Sequence, residues 1–234
     1  MLLAINTSTP QFSVALLRKT GSLLGEEVIS APSRNFQALV PAFHDLLRTT
    51  GARPKDFSAV AVAVGPGSFT GLRVGIALAK GLCQGLGIPI IGVSSLEALA
   101  SQCLEASLMI CPLIDSRKGE VFTALFQPSR EGSLLRMSAD TCLMLEALPS
   151  LVNETCLFVG NDHDSHAPRL HRFLGPKARL APPHLWNLRA SWIGWLGLRD
   201  AGERGFDRVS ELFPIYLRAP DIRTNLVPPS DHPS

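Results

Sequence analysis

Residues 59–87 read AVAVAVGPGSFTGLRVGIALAKGLCQGLG, an apolar run, a glycine-proline stop and a glycine-rich helical pattern in succession. Val60-Ala61-Val62-Ala63-Val64 is an unbroken run of small apolar residues, which suits a strand buried on both faces in a sheet covered by helices. Gly65-Pro66-Gly67 stops it, because glycine admits backbone angles closed to other residues and proline has no ladder donor. Ser68 or Thr70 then caps a helix predicted over about residues 69–86.

On a 3.6-residue wheel Arg73, Lys80 and Gln84 share the wet side of that helix, while Leu78, Leu82 and Leu86 lie opposite with Gly71 and Gly75. A further stripe of Val74, Ala77, Gly81 and Gly85 runs along one flank. An interior glycine destabilises a helix by about 1 kcal/mol relative to alanine, so four of them point to close approach by a neighbour. That neighbour is either the protein's own sheet or, for one of the two stripes, another helix or subunit.

Two phosphate-binding motifs fail here. A Walker loop needs a lysine after its last glycine, and Leu72 follows Gly71; Gly65, Gly67 and Gly71 space as G-x-G-x-x-x-G, one residue too long for the dinucleotide fingerprint. A helix N-terminus behind glycines retains the capacity to hold an anion. Ser68 sits in G-P-G-S-F and not in a nucleophile elbow.

With 234 residues, 46% of them hydrophobic, the chain is expected to fold as one or two compact lobes. A net charge of +2 implies no large field towards nucleic acid or membrane, although arginines outnumber acids between Arg169 and Arg223. The five cysteines (Cys83, Cys103, Cys111, Cys142, Cys156) are scattered without C-x-x-C spacing, which fits buried thiols in a reducing compartment. No leader pattern and no apolar run of ~18 residues is present, so a soluble, cytoplasmic protein without a membrane partner is expected.

Elsewhere the pattern predicts strands over residues 2–5, 12–17 and 23–30, and a helix capped by Ser33 or Asn35 with Phe36, Leu39, Val40, Phe43, Leu46 and Leu47 on its apolar face. Pro41 should kink that helix or mark a later start. A strand over 89–93 and a helix capped by Ser94 or Ser95 and reaching about Leu104 follow. The chain then repeats its opening: LLAINTS…SVALL and MICPLIDSRKGEVFTALF both read as apolar strand, Asn or Asp with a hydroxyl, turn, and apolar strand. Two homologous lobes over 1–105 and 106–225 are the expected organisation, each opening with a hairpin whose turn faces the cleft between them; coincidence of two ordinary hairpins is the alternative. The C-terminal part of the second lobe is allowed to pack back on the first, and 226–234, rich in Pro and Ser, is expected to be a disordered tail. Residues 141–148 are read as helical, 155–160 as a strand, and 185–201 as a helix carrying Trp186, Trp192 and Trp195. His163 and His166 lie beside Asp162 and Asp164 at a spacing seen in some metal sites, and a polar surface turn explains the same letters.

The string GPGSFTGLRVG resembles the signature of the TsaB (YeaZ) family, and so do LAINTST, SVAL, IGVSSL, IDSRKGEVF and PIYLR in the same order. The resemblance covers most of the first 126 residues and the segment from Pro214 to Arg218. It implies an α/β, two-lobed actin-like ATPase fold of the ribonuclease H-like class, with a reduced, divergent second lobe. It also implies a non-catalytic scaffold or activating subunit in the making of threonylcarbamoyladenosine beside the anticodon of tRNAs. The partners implied are a TsaD-like catalytic subunit, a TsaE-like ATPase through that complex, a second copy of the chain when alone, and tRNA indirectly. No cofactor is expected to be bound tightly, with ATP or ADP entering only through the partner complex, and no metal or catalytic residue is assigned. The partner surface it implies is the glycine-rich helix and the helix before it: Phe36, Leu39, Phe43, Arg73, Val74, Ala77, Gly81 and Gly85.

In an actin-like ATPase the first hairpin supplies an Asp to the metal-bound phosphates and the second lobe a matching hairpin. Asn6 stands where that Asp would be, and Asn35 and Leu39 stand where a metal-binding subunit would carry histidines four apart. Asparagine lacks the charge a magnesium shell prefers. Residual anion or nucleotide contacts would fall on Asn6, Thr7, Ser8, Gly67, Ser68 and Asp115, with a turn-stabilising role the other reading of Asn6. The rival functions are a nucleotide-dependent enzyme of the same fold, such as a small-molecule kinase, and a metalloprotease under the family's older glycoprotease label.

Overall fold

The computed structural model describes residues 1–30, 36–129 and 131–218. The first sheet is built from β1 (Leu2–Asn6), β2 (Gln11–Leu17), β3 (Leu23–Ser30), β4 (Ala59–Gly65) and β5 (Ile90–Ser94), in the order β3-β2-β1-β4-β5. The first three strands form an antiparallel meander, and β4 and β5 join parallel to β1 and to each other. Alternation along β4 sorts its side chains by size. Val60, Val62 and Val64 face α1 (Leu39–Thr50) and α2 (Phe69–Leu86), whereas Ala59, Ala61 and Ala63 belong to a second core on the opposite face.

α1 begins after a tight turn at Phe36–Ala38, so Pro41 falls in its first turn, where a missing N–H is harmless. The proposed caps Ser33 and Asn35 lie outside the described residues, as does the tail over 226–234. Ser68 caps α2 by accepting a hydrogen bond from the Gly71 N–H at 3.2 Å, and the helix ends at Gly87 in a left-handed conformation. α3 (Ser95–Ser101), capped by Ser94, is shorter than predicted because the chain tightens into turns through Cys103.

The second sheet holds β6 (Met109–Asp115), β7 (Glu120–Thr123), β8 (Phe126–Pro128), β9 (Leu134–Arg136), β10 (Thr141–Met144), β11 (Cys156–Gly160) and β12 (Ala178–Leu180). Its main path, β10-β7-β6-β11-β12, repeats the first sheet strand for strand and sense for sense. Asn6 and Asp115 therefore end the equivalent central strands.

Residues 141–144 are not helical: they form β10, the third strand of the meander, and only Leu145–Ser150 turns helically, burying Leu145 and Leu148. The polar segment after Gly160 is not a surface turn but the start of α4 (His163–Leu174), whose N-cap Asp162 accepts from the Ser165 N–H at 3.1 Å. The tryptophan-bearing helix α5 runs Ala190–Arg204, so Trp186 lies outside it, held by a turn at Pro183–Leu185 and donating from Nε1 to the Ala181 carbonyl at 2.9 Å.

α5 packs on the first sheet, against the alanine face of β4. Gly194 and Gly197 set its distance: a Cβ on Gly194 would strike Leu17 and Ala4, and one on Gly197 would sit 2.7 Å from the Ala61 Cβ. The N-terminal end is fixed by Glu26, whose buried carboxylate accepts from Arg189 at 2.6 Å and from the Ser191 N–H at 3.0 Å. No described helix is long and apolar enough to cross a membrane.

Candidate functional site

Two surfaces follow from α2: the cleft at its N-terminus and its outer flank. The cleft, of about 260 Å³, lies between the lobes. Ser8, Gly67, Ser68 and Thr70 line it from the first lobe, and Asp115, Ser116 and Arg117 from the second. The C-terminal strap closes one side through Ile215, Tyr216, Leu217 and Arg218. The strap is tied to both lobes: the Ile215 N–H donates to the Val64 carbonyl at 2.7 Å, and Arg218 lies 2.9 Å from Glu120.

The first hairpin turn is knitted to the start of α2. The Ser68 N–H donates to the Ser8 carbonyl at 2.7 Å, and Thr7 Oγ1 to the Gly71 carbonyl at 2.7 Å. A Cβ on Gly67, Gly71 or Gly75 would collide with Ser8 or Thr7, so these three glycines serve close approach to the protein's own hairpin. Of the sequence-predicted cleft residues, Ser8, Gly67, Ser68 and Asp115 reach the cavity wall. Asn6 and Thr7 are fully buried behind it. Asn6 Oδ1 accepts from the Ser8 N–H and hydroxyl, and its Nδ2 donates to the Leu188 carbonyl at 2.8 Å and to Thr9 at 3.3 Å. Its amide is spent on the turn and on the segment leading into α5.

Asp115 is held from the second lobe. Asn161 accepts from its N–H at 2.8 Å, and His166 Nε2 lies 2.8 Å from its Oδ1. His166 is buried beside Trp186, with ring centroids 6.2 Å apart. His163, turned towards Asp164 at 3.3 Å and edge-on to Trp186, does not join it in a metal shell, and no group of three or more His, Cys, Asp or Glu suited to a metal occurs among the described residues. The sequence reading missed the His166–Asp115 pair; the available signal was Asp162 followed three residues later by Ser165, a helix start directly after a strand. The N-terminus of α2 can order an anionic group here, and Asp115 is the one carboxylate among the described residues that line the cavity.

The flank of α2 differs from its base. Arg73, Ala77, Gly81 and Gly85 are exposed, Val74 is half-buried, and a Cβ on Gly81 or Gly85 would meet nothing within 4 Å. Phe36 and Phe43 are half-buried, their rings tilted against those of Phe12 and Phe57 with centroids 5.4 and 6.1 Å apart. Leu39, only 1% exposed, is a core residue and reaches no outer surface. A shallow groove beside the flank runs between α2 and the strap, with Lys80 4.8 Å over Phe213 and Arg73 3.9 Å over Phe69. Arg73 Nε also donates to the Tyr216 hydroxyl at 3.0 Å. Phe213 is 68% exposed, an addition to the surface that sequence reading did not include. All five cysteines are unpaired, and burial pushes the Cys111 thiol up to about 12.

Residues 30–144 match the family model described as TsaD, tRNA N6-adenosine threonylcarbamoyltransferase. The chain is 36% identical over 220 residues, 93% of either chain, to the tRNA threonylcarbamoyladenosine biosynthesis protein TsaB of Bacillus subtilis. It is 29% identical over 229 residues to the TsaB of Haemophilus influenzae, again covering 93% of each. Among solved structures it is similar to YeaZ from Pseudomonas aeruginosa, with a TM-score of 0.76 and 28% identity over 92% of this chain and 99% of that one. More distant neighbours such as EutJ from Carboxydothermus hydrogenoformans, at a TM-score of 0.55 and 14% identity, share the fold alone. With two sheets of one topology facing a common cleft, that fold is the actin-like ATPase fold.

Proposed function

We propose, for a chain that belongs to the TsaB (YeaZ) family, that it serves tRNA threonylcarbamoyladenosine biosynthesis as a non-catalytic subunit that docks on a TsaD-like catalytic subunit. The observation that carries this reading is the division of the glycines on α2. Gly71 and Gly75 are consumed by the first hairpin, while Gly81 and Gly85 leave an open, low flank on which a partner helix can lie close. The helix tolerates two glycines of roughly 1 kcal/mol each there without any internal contact to justify them.

The cleft supports the non-catalytic part. Asn6 has its amide committed to Ser8, Thr9 and Leu188, and the catalytic carboxylate of an actin-like ATPase has no counterpart at that position. A TsaE-like ATPase is then recruited by the assembled pair, nucleotide is handled there, and the same flank joins two copies when the chain is alone. A kinase-like activity would need a second charge at the position of Asn6, where the structure has a neutral, fully buried amide.

The test is reconstitution. The purified chain, mixed with the TsaD-like subunit, is expected to co-sediment with it and to be required for tRNA threonylcarbamoylation, yet to release no phosphate from ATP by itself. Failure to associate, or ATP turnover by the isolated chain well above buffer, would contradict the assignment.

A further inference from the structure

We propose that the end of the second lobe remote from the cleft is a contact surface for tRNA phosphates, an inference that rests on the assignment to tRNA modification above. Residues 165–199 contain no Asp or Glu. Six Lys and Arg fall in that stretch, and three are neutralised within the fold: Arg169 by Glu146 at 2.7 Å, Arg189 by Glu26 at 2.6 Å and Arg199 by Glu97 at 2.7 Å. Arg172, Lys177 and Arg179 are exposed and form no ion pair with any described residue.

The topology gathers these three. Arg172 is in the last turn of α4, Lys177 in the helical turn Gly175–Lys177, and Arg179 in β12, the edge strand of the second sheet. His171 and His184 are exposed in the same stretch. α4 starts beside the cleft, where His166 meets Asp115, and its 12 residues carry the chain away from it. At about 1.5 Å per residue Arg172 sits roughly 14 Å along the helix from its first residue, and Lys177 and Arg179 follow beyond the helix end. A ligand here leaves the cleft and the α2 flank free.

Ordinary structural roles account for single residues only. The negative end of α4 favours Arg172, and a charge on an edge strand discourages pairing, which suits Arg179. Neither explains three exposed cations without an ion-pair partner of their own within eight consecutive residues of a chain whose net charge is only +2; Glu146, the acid that feels the charge of Arg172, is already bonded to Arg169. Phosphates spaced along a nucleic-acid backbone supply the missing countercharge, and such contacts position a molecule without reading its sequence.

The experiment titrates an unmodified tRNA transcript onto the full chain by fluorescence anisotropy at several salt concentrations. The wild type is expected to bind with salt-dependent affinity. The combined variant Arg172→Gln, Lys177→Gln, Arg179→Gln should bind about tenfold more weakly, with the slope of log K against log salt reduced by about 2 to 3. A charge-matched variant on the first lobe, Arg18→Gln, Lys19→Gln, Lys55→Gln, should change neither value appreciably. All six residues are exposed, so both variants should keep the wild-type melting temperature. Absence of salt-dependent binding by the wild type, unchanged binding by the combined variant, or equal weakening by the control would each overturn the proposal. Association with the TsaD-like subunit is measured alongside. Its loss in the wild type would speak against the functional assignment, whereas intact association with tRNA binding indifferent to the three cations would sink this surface alone.

Discussion

The side-chain amide of Asn6 donates a 2.8 Å hydrogen bond to the carbonyl of Leu188, joining the end of the first strand to the segment that enters α5. Both residues are buried. Asp115 ends the equivalent strand of the second sheet with a carboxylate, whereas Asn6 carries the isosteric amide, which can donate to a carbonyl.

Asn6→Asp therefore replaces a donor with an acceptor facing the Leu188 oxygen. The variant is expected to lose about 1–3 kcal/mol of stability and to gain no ATP hydrolysis. Because burial disfavours the new carboxylate, the loss should be smaller at pH 5 than at pH 8. Chemical denaturation at the two pH values measures it; a variant as stable as wild type at pH 8 would show that the Leu188 contact contributes nothing.

The glycines of α2 should separate cleanly on substitution. In Gly75→Ala the new methyl would run into Thr7 Oγ1, the hydroxyl that donates to the Gly71 carbonyl, and a loss of roughly 2–3 kcal/mol is expected. In Gly85→Ala the methyl meets open space, and the helix should gain up to ~1 kcal/mol. Thermal melts of the two variants moving in the same direction would contradict the packing described.

Asp207 pins the chain after α5 to the edge of the first sheet. It accepts from the Gly92 N–H at 2.7 Å and from Arg204 at 2.7 Å, and its own N–H donates to the Ile90 carbonyl at 2.9 Å. Burial pushes its carboxyl up, but the hydrogen bonds from Arg204 and Gly92 outweigh this and hold it below the ordinary value. A carboxylate depressed in the folded state stabilises above its unfolded pKa of about 4, and that contribution disappears as the pH falls through the folded value. Asp207→Asn should therefore lower stability by about 1 kcal/mol at pH 7, discounted for partial exposure, with the gap closing towards pH 3. A gap that stays constant from pH 7 to pH 3 would exclude the charge as its source.

The first lobe was legible because its signals are local. The apolar run of β4, its glycine stop and the Ser68 cap fix three consecutive elements, and the predicted bounds of α2 coincide with the observed ones. The second lobe hides its helix: α4 opens on acids and histidines and carries Pro168, so its pattern is that of a turn until Asp162 is seen to cap it. The partner of Asp115 lies 51 residues away, beyond any periodicity, and could emerge only when β6 and β11 paired side by side. Leu39 shares a helical face with Phe36 and Phe43 in sequence, yet Phe36 falls in the tight turn before α1, and Leu39 is buried while the two phenylalanines stay half outside. The wheel put Gly71 and Gly75 on a different stripe from Gly81 and Gly85, but it grouped the first pair with Leu78, Leu82 and Leu86, which are half-buried. The buried stripe of α2 runs instead through Leu72, Ile76, Ala79 and Cys83, and which glycines met the protein's own chain depended on where the first hairpin turn came to rest.

If the open flank of α2 is the docking surface, a bulky side chain at Gly81, as in Gly81→Leu, should block the partner without disturbing the fold. A Cβ at residue 81 meets nothing within 4 Å, so the substitution should leave the melting temperature unchanged or slightly raised. Affinity for the TsaD-like subunit, measured by isothermal titration or sedimentation, should fall by tenfold or more, a change of at least about 1.4 kcal/mol. Wild-type affinity in a Gly81→Leu protein of undiminished stability would contradict the account.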